Sequence, residues 1–253
     1  MIHPSAIVSP KARVADSACI GPWCLVDDFA EIGENVILES RVHVLPYATI
    51  GEGTQVFDGA SIGNIPQDLK FAGEVTQLKV GKRCTIREYC TLHRGTSATG
   101  ETIVGDDVLL MAYVHVAHDC RIGNGVVLSN AVQLGGHVEI GEYATIGGTV
   151  AVAQCCHIGA YAFVGGTLKV DRDVPPASKA LGNPLIWAGL NLHALRKYPE
   201  RFPKDRIVAL DGVFRELYRS RRSVVEVAEE LKKNPDEIIS EFFANWTQKI
   251  IRP

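Results

Sequence analysis

The run Val114-His115-Val116-Ala117-His118-Asp119 puts two histidines three residues apart and a carboxylate directly after the second. A neutral imidazole with a pKa of about 6.5 is suited to taking a proton from a hydroxyl at neutral pH. Asp119, next in the chain, can orient the ring. Eighteen residues after His118 lies Gly136, beside His137, and a further eighteen on lies Gln154. If eighteen residues make one turn of the chain, these groups form a column about 10 Å tall, two spacings of roughly 4.8 Å. Such a column has the dimensions of a sugar ring with its substituents. The plainer reading of His118 is an exposed histidine on a solvated face. His3 and His43 read as surface histidines, and His157, with no loop near it, as a surface or subunit-contact residue. The chain has no Cys-x-x-Cys pair and no histidine pairing that favours zinc, so no metal site is expected.

The element that must position these groups is a six-residue repeat. From Ile2 to Val170, every sixth residue is Ile, Val or Leu at 26 of 29 positions; the exceptions are Asp68, Glu74 and Ala98. A helix repeats every 3.6 residues and a strand every two, so neither needs this period. A hexapeptide period marks a parallel β-helix, in which three short sides close one coil of eighteen residues. The aliphatic residue points inward, the position two before it is small (Ala18, Ala30, Ala48), and Gly often follows it (Gly21, Gly33, Gly51). That glycine is expected to relieve the turn. In this phase His118 falls between the inward residues Val116 and Ile122, so it sits outward or at a corner.

The repeat breaks three times. Residues 64–77, with Gln67-Asp68-Leu69-Lys70-Phe71, form an in-register excursion, and residues 94–102 form a second. Loops on a rigid scaffold commonly hold binding groups. The repeat ends after Val170 with Asp173-Val174-Pro175-Pro176 and Gly182-Asn183-Pro184. The chain therefore divides into a β-helix over 1–182 and a helical domain over 183–253. Helices are predicted over 206–219, from a capping box at Ser223-x-x-Glu226, and from Asn234 with Pro235 at the first helical position.

Five of the seven cysteines fall on the small, inward phase, which reads as reduced core and fits a cytoplasmic protein. The repeat starts at Ile2, so no signal peptide is expected. Tyr143 to Leu168 lacks charged residues, but its six-residue phase and its glycines read as solenoid core, not as a membrane span. Net charge is −3, which gives no footing for nucleic acid.

Several motifs together resemble one family. They are Gln67 to Glu74, Leu92-His93-Arg94-Gly95-Thr96, Leu109-Leu110-Met111 followed by His115 to Cys120, Gly136-His137-Val138, and Asp173-Val174-Pro175-Pro176. The family is the UDP-N-acetylglucosamine O-acyltransferases of lipid A biosynthesis, and the resemblance spans nearly the whole chain. It implies a mainly β fold, a left-handed parallel β-helix with a small C-terminal α-helical domain, and a homotrimer with clefts between subunits. It implies transfer of a 3-hydroxyacyl group from acyl carrier protein to the sugar 3-hydroxyl, with His118 as general base and no cofactor. Asp68 and Lys70 would hold the sugar and the carrier-derived arm. His93, His115, His137 and Gln154 would line the cleft, and Gly136 would offer a backbone N–H to the oxyanion. Gly166 would set acyl length, and Asn191 and Lys197 would lie near the nucleotide or carrier arm. The chain departs from the family pattern at Ala153, usually His, at Arg196-Lys197-Tyr198, usually holding an Arg pair, and at His193, usually acidic. Acylation of a 3-amino UDP-sugar, and a non-catalytic carrier- or nucleotide-sugar-binding trimer, are the alternatives. The later N-acyltransferase of the pathway shares the repeat but normally has a domain before it.

Overall fold

In the computed structural model, which describes every residue except Gln248, the repeat winds into a left-handed parallel β-helix of triangular section. Face 1 has nine strands, from Ile7–Val8 to Lys169–Val170. Face 2 has eight, from Arg13–Val14 to His157–Ile158. Face 3 has ten, beginning at Cys19–Ile20. Ile7 pairs with Leu25 and Leu25 with His43, so one coil is eighteen residues. The aliphatic ladder fills the prism: Val116, Leu134 and Val152 are at most 4 % exposed. Cys24, Cys84, Cys90, Cys120 and Cys156 are buried beside it, and all seven thiols are free.

The corners differ from the sequence expectation. The left-handed residue is not the glycine after the aliphatic position but the third residue after it: Trp23, Phe29, Asn35 and Tyr47 have φ of 56°, 62°, 55° and 65°. The glycine serves close stacking instead. A Cβ on Gly51 would come within 2.6 Å of the Gly81 carbonyl group in the next coil.

The two breaks are whole-repeat insertions. Ser61 pairs with Thr91 and Thr91 with His115, steps of 30 and 24 residues in place of 18. Strands Ser61–Asn64 and Gln77–Val80 bound the first loop, and Thr91–His93 and Glu101–Val104 the second. The second loop thus ends just before residue 101, slightly short of the expected 102. Both loops leave the edge between faces 1 and 2, on successive coils. They touch there: Ser97 N–H donates to Glu74 Oε1 at 3.1 Å, and the Arg94 guanidinium lies 5.4 Å from the centre of the Phe71 ring.

Face 3 continues past residue 182. Strand Ile186–Leu190 pairs antiparallel with Ser178–Leu181. Helices α1 (Leu192–Lys197), α2 (Lys204–Arg219), α3 (Val224–Leu231) and α4 (Glu237–Asn245) follow. Ser223 caps α3 as expected, its hydroxyl accepting from Glu226 N–H at 3.1 Å. The cap of α4 is Asp236, not Asn234, so Pro235 precedes the helix and does not open it. The helix α1 had no sequence expectation, being one short turn and a half. Phe214, Phe243, Leu195 and Tyr161 centre a second core. The chain end stitches this domain to the rod: Asp173 N–H donates to Lys249 O at 2.7 Å, and Ile251 N–H to Asp173 O at 3.0 Å.

Candidate active site

The edge between faces 1 and 2 collects His118, Gly136 and Gln154 on three successive coils, because His115, Gln133 and Ala151 pair in register just before them. His118 Nδ1 lies 2.7 Å from Asp119 Oδ2. The Asp119 carboxylate is buried, yet its pKa falls to about 2: burial alone would raise it, and the hydrogen bonds from Thr99, His118 and Thr96 outweigh that. An ionised carboxylate only accepts, so His118 carries its proton on Nδ1 and presents a lone pair on Nε2. The ring's side chain is 13 % exposed.

Asp119 is held from all sides. Thr96 N–H donates to Oδ1 at 3.0 Å, the Thr96 hydroxyl to Oδ2 at 2.8 Å, and the Thr99 hydroxyl to Oδ1. Its own N–H donates to Thr102 Oγ1 at 2.8 Å. With His118 these donors fill the acceptor capacity of both oxygens. His137 Nε2 stands 3.6 Å from Oδ2, and its ring meets His118 edge to face at 5.2 Å. His118, Asp119 and His137 are close enough to hold a metal ion. Their chemistry does not favour one, since a metal would displace the threonine and imidazole donors from the carboxylate.

Gly136 fits under the His118 ring. A Cβ there would lie 2.5 Å from Cε1 and 2.6 Å from Nε2. Its N–H has no protein acceptor among the described residues. On the opposite side from Gly136, toward the preceding coil, His115 Nδ1 bonds Thr91 Oγ1 at 2.8 Å, and its ring meets His93 edge to face at 4.9 Å. Burial, aided by His115 and His118, pushes the His93 pKa down to about 4, and burial also lowers that of His115. Both rings are therefore neutral at pH 7. His93 Nδ1 is buried without a partner.

The remaining expected residues divide by place. Asp68 and Lys70 sit on the first loop, where Asp68 Oδ1 accepts Lys70 N–H at 2.9 Å; neither bonds a histidine among the described residues. Gln154 is exposed on the column. Gly166 is on the edge between faces 3 and 1, beside Gly148, not on the His118 edge. Asn191 and Lys197, with His193, line a cavity of about 310 Å³ against Val127, Thr145 and Phe163 on the outside of face 3. That face lies opposite the His118 edge. The Asn191 amide is already engaged: it donates to Tyr161 O at 2.9 Å and accepts from Ala194 N–H at 3.3 Å as the α1 cap. His157 is not a plain surface residue. It lies between Glu139 (3.4 Å) and the buried Asp173 (3.6 Å). Burial would lower its pKa, but the two carboxylates raise it to about 9.

Sequence reasoning missed the threonines. Thr96, Thr99 and Thr102 recur every third residue through the second break, and that spacing was the available signal.

A hexapeptide prism carrying a histidine–aspartate pair on one edge defines a class, and residues 101–136 match the family model of the bacterial transferase hexapeptide. Residues 173–251 match the model of the second domain of UDP-N-acetylglucosamine O-acyltransferase. The acyl-[acyl-carrier-protein]–UDP-N-acetylglucosamine O-acyltransferase of Thermodesulfovibrio yellowstonii is 41 % identical over 238 residues, covering 94 % of this chain and 92 % of that one. The crystal structure of UDP-N-acetylglucosamine O-acyltransferase from Moraxella catarrhalis superposes with a TM-score of 0.93 at 40 % identity, covering 99 % of both chains. The UDP-N-acetylglucosamine acyltransferase of Arabidopsis gives 0.79 at 29 % identity, covering 98 % of this chain and 95 % of that one. The chain belongs to the UDP-N-acetylglucosamine O-acyltransferase family.

Proposed function

We propose that this protein moves a 3-hydroxyacyl group from the thioester of acyl carrier protein to the 3-hydroxyl of UDP-N-acetylglucosamine, the first step of lipid A synthesis, with His118 as general base. The observation that carries the chemistry is the His118–Asp119 pair, 2.7 Å apart, with Nε2 left free. Nε2 takes the proton of the sugar hydroxyl as its oxygen attacks the thioester carbonyl. The tetrahedral oxyanion accepts from the Gly136 N–H. The C–S bond then breaks, and the sulfur leaves with the proton returned from the imidazolium. A thioester is already activated, so positioning, a base and one N–H donor suffice without a cofactor. Neutral His93 and His115, with His137 and Gln154, line the sugar; Asp68 and Lys70 approach it from the first loop.

The active form is a homotrimer. His118 is on the edge opposite face 3, so one rod cannot bring it to the cavity of Asn191 and Lys197. A neighbouring copy can, with Gly166 lining the acyl path. Lys197 then meets phosphate as a point charge, without the fork an arginine would offer. A cytoplasmic location goes with this reading through the reduced, inward cysteines, with all seven thiols free; among the described residues no helix is long and apolar enough to cross a membrane.

Acyl transfer from 3-hydroxyacyl carrier protein to UDP-N-acetylglucosamine tests the reading. His118→Ala is expected to lose about 10²–10⁴ in rate. Wild-type protein that ignores this sugar but acylates its 3-amino analogue would move the acceptor assignment. Wild-type protein inactive on both would favour a binding role. A sedimentation mass near 27.5 kDa instead of about three times that would overturn the trimer.

A further inference from the structure

We propose that the second loop is a positioning element for the reaction, and that the hydroxyls of Thr96 and Thr99 are its working parts. The inference rests on the reading of His118 as base. Without the inserted repeat at 94–100, the coil would turn from Thr91–His93 directly into face 2. With it, the chain doubles over the corner occupied by Asp119 on the next coil. Thr96 is buried and gives that carboxylate both its N–H and its hydroxyl; Thr99, exposed at the loop's outer end, gives a second hydroxyl.

Asp119 occupies the left-handed corner position of its coil, at φ 61°. The threonine donors hold its side chain in the orientation that sets Oδ2 2.7 Å from His118 Nδ1. They do so from a different coil, across 23 and 20 residues of sequence. The His118 ring is then fixed at two points, by Asp119 at Nδ1 and by Gly136 packing beneath it. The threonine donors also share the carboxylate's charge. Neither hydroxyl needs to touch substrate, so both are positioning residues.

Loss of a threonine hydroxyl leaves the carboxylate less firmly held. It is then free to turn, and the His118 ring loses the orientation that aims Nε2. The test is kcat and KM for wild type, Thr96→Val, Thr99→Val and Thr96→Ser, with His118→Ala alongside. Each valine variant is expected to lose about tenfold in kcat with little change in KM. Thr96→Ser should restore kcat. Valine variants with wild-type kcat overturn the proposal. So does a kcat loss matched by a rise in KM with no rescue by serine, which marks the loop as packing alone. Thr99 is exposed, so Thr99→Val carries the test if Thr96→Val does not fold. His118→Ala separates the failures. If it stays active, the base assignment falls and the loop's role with it. If it is inactive while the threonine variants behave as wild type, only the role of the loop falls.

Discussion

At Gly136 a side chain would occupy the space that the His118 ring fills, with contacts of 2.5 and 2.6 Å to ring atoms. These are far inside van der Waals range, so Gly136→Ala must push the imidazole off its position. Real misplacement of a base by about 1 Å can cost on the order of a hundredfold in rate. Gly136→Ala is therefore expected to reduce kcat by tenfold or more, while the unfolding midpoint stays near wild type because the ring swings toward solvent. Equal losses in stability and activity would argue against this reading. Asp119→Asn is the complementary change. It replaces an acceptor by a group that can also donate, so the imidazole is free to carry its proton on the wrong nitrogen. A rate loss on the order of 10²–10⁴ is expected, measured by the same acyl-transfer assay.

Among the elements, glycine has two distinct uses. In the coil, Gly51 lets two turns of backbone approach, with Gly81 C and O both at 2.6 Å from a built Cβ. Gly51→Ala is expected to destabilise by about 1–3 kcal/mol, the usual range for overpacking. Gly212 lies in α2, where a Cβ meets nothing within 4 Å. Gly212→Ala is expected to stabilise by about 0.5–1 kcal/mol, since Ala is the better helix former. Urea unfolding midpoints check both, and equal signs would contradict the stacking role of the coil glycines. The two excursions belong to this scale too. Because each adds whole repeats, the ladder of Ile62, Val80, Leu92 and Val104 keeps its phase, and the loops cost the rod little.

For the whole molecule, the join between rod and helical domain passes through Asp173. Its buried carboxylate accepts from His157 N–H at 2.8 Å and from the Thr247 hydroxyl at 2.8 Å, and it faces the His157 ring. Glu139 faces the ring from the other side. A folded-state pKa of about 9 against 6.5 for the free group means that this contribution is fully present below about pH 6.5. It is lost as pH rises through about 9. The stability gap between wild type and His157→Gln is therefore expected to close over that window. Thermal unfolding across pH measures it, and a gap that widens with pH would refute the assignment. The histidine edge and the Lys197 cavity lie on opposite sides of one prism, so the reaction proposed for them calls for a neighbouring copy.

The hexapeptide period by itself determined the eighteen-residue coil, the inward ladder, the edge that bears His118, and its stacking with Gly136 and Gln154. In a solenoid, an offset along the sequence is an offset along the rod, so spacing alone places residues in space. The helical domain was legible in part, through Ser223 and the apolar faces, but α1 is too short for a periodic signal. Tertiary structure alone decided what the period does not encode. Thr96 reaches Asp119 across 23 residues and Thr247 reaches Asp173 across 74. His157 is claimed by two carboxylates, Asn191 by Tyr161, and the coil glycines by the backbone of the next turn. Glu139 with His157, and most coil glycines, meet at the eighteen-residue step, but the period does not say what they touch there; the other contacts follow no repeat, and only the packed chain brings them within bonding distance.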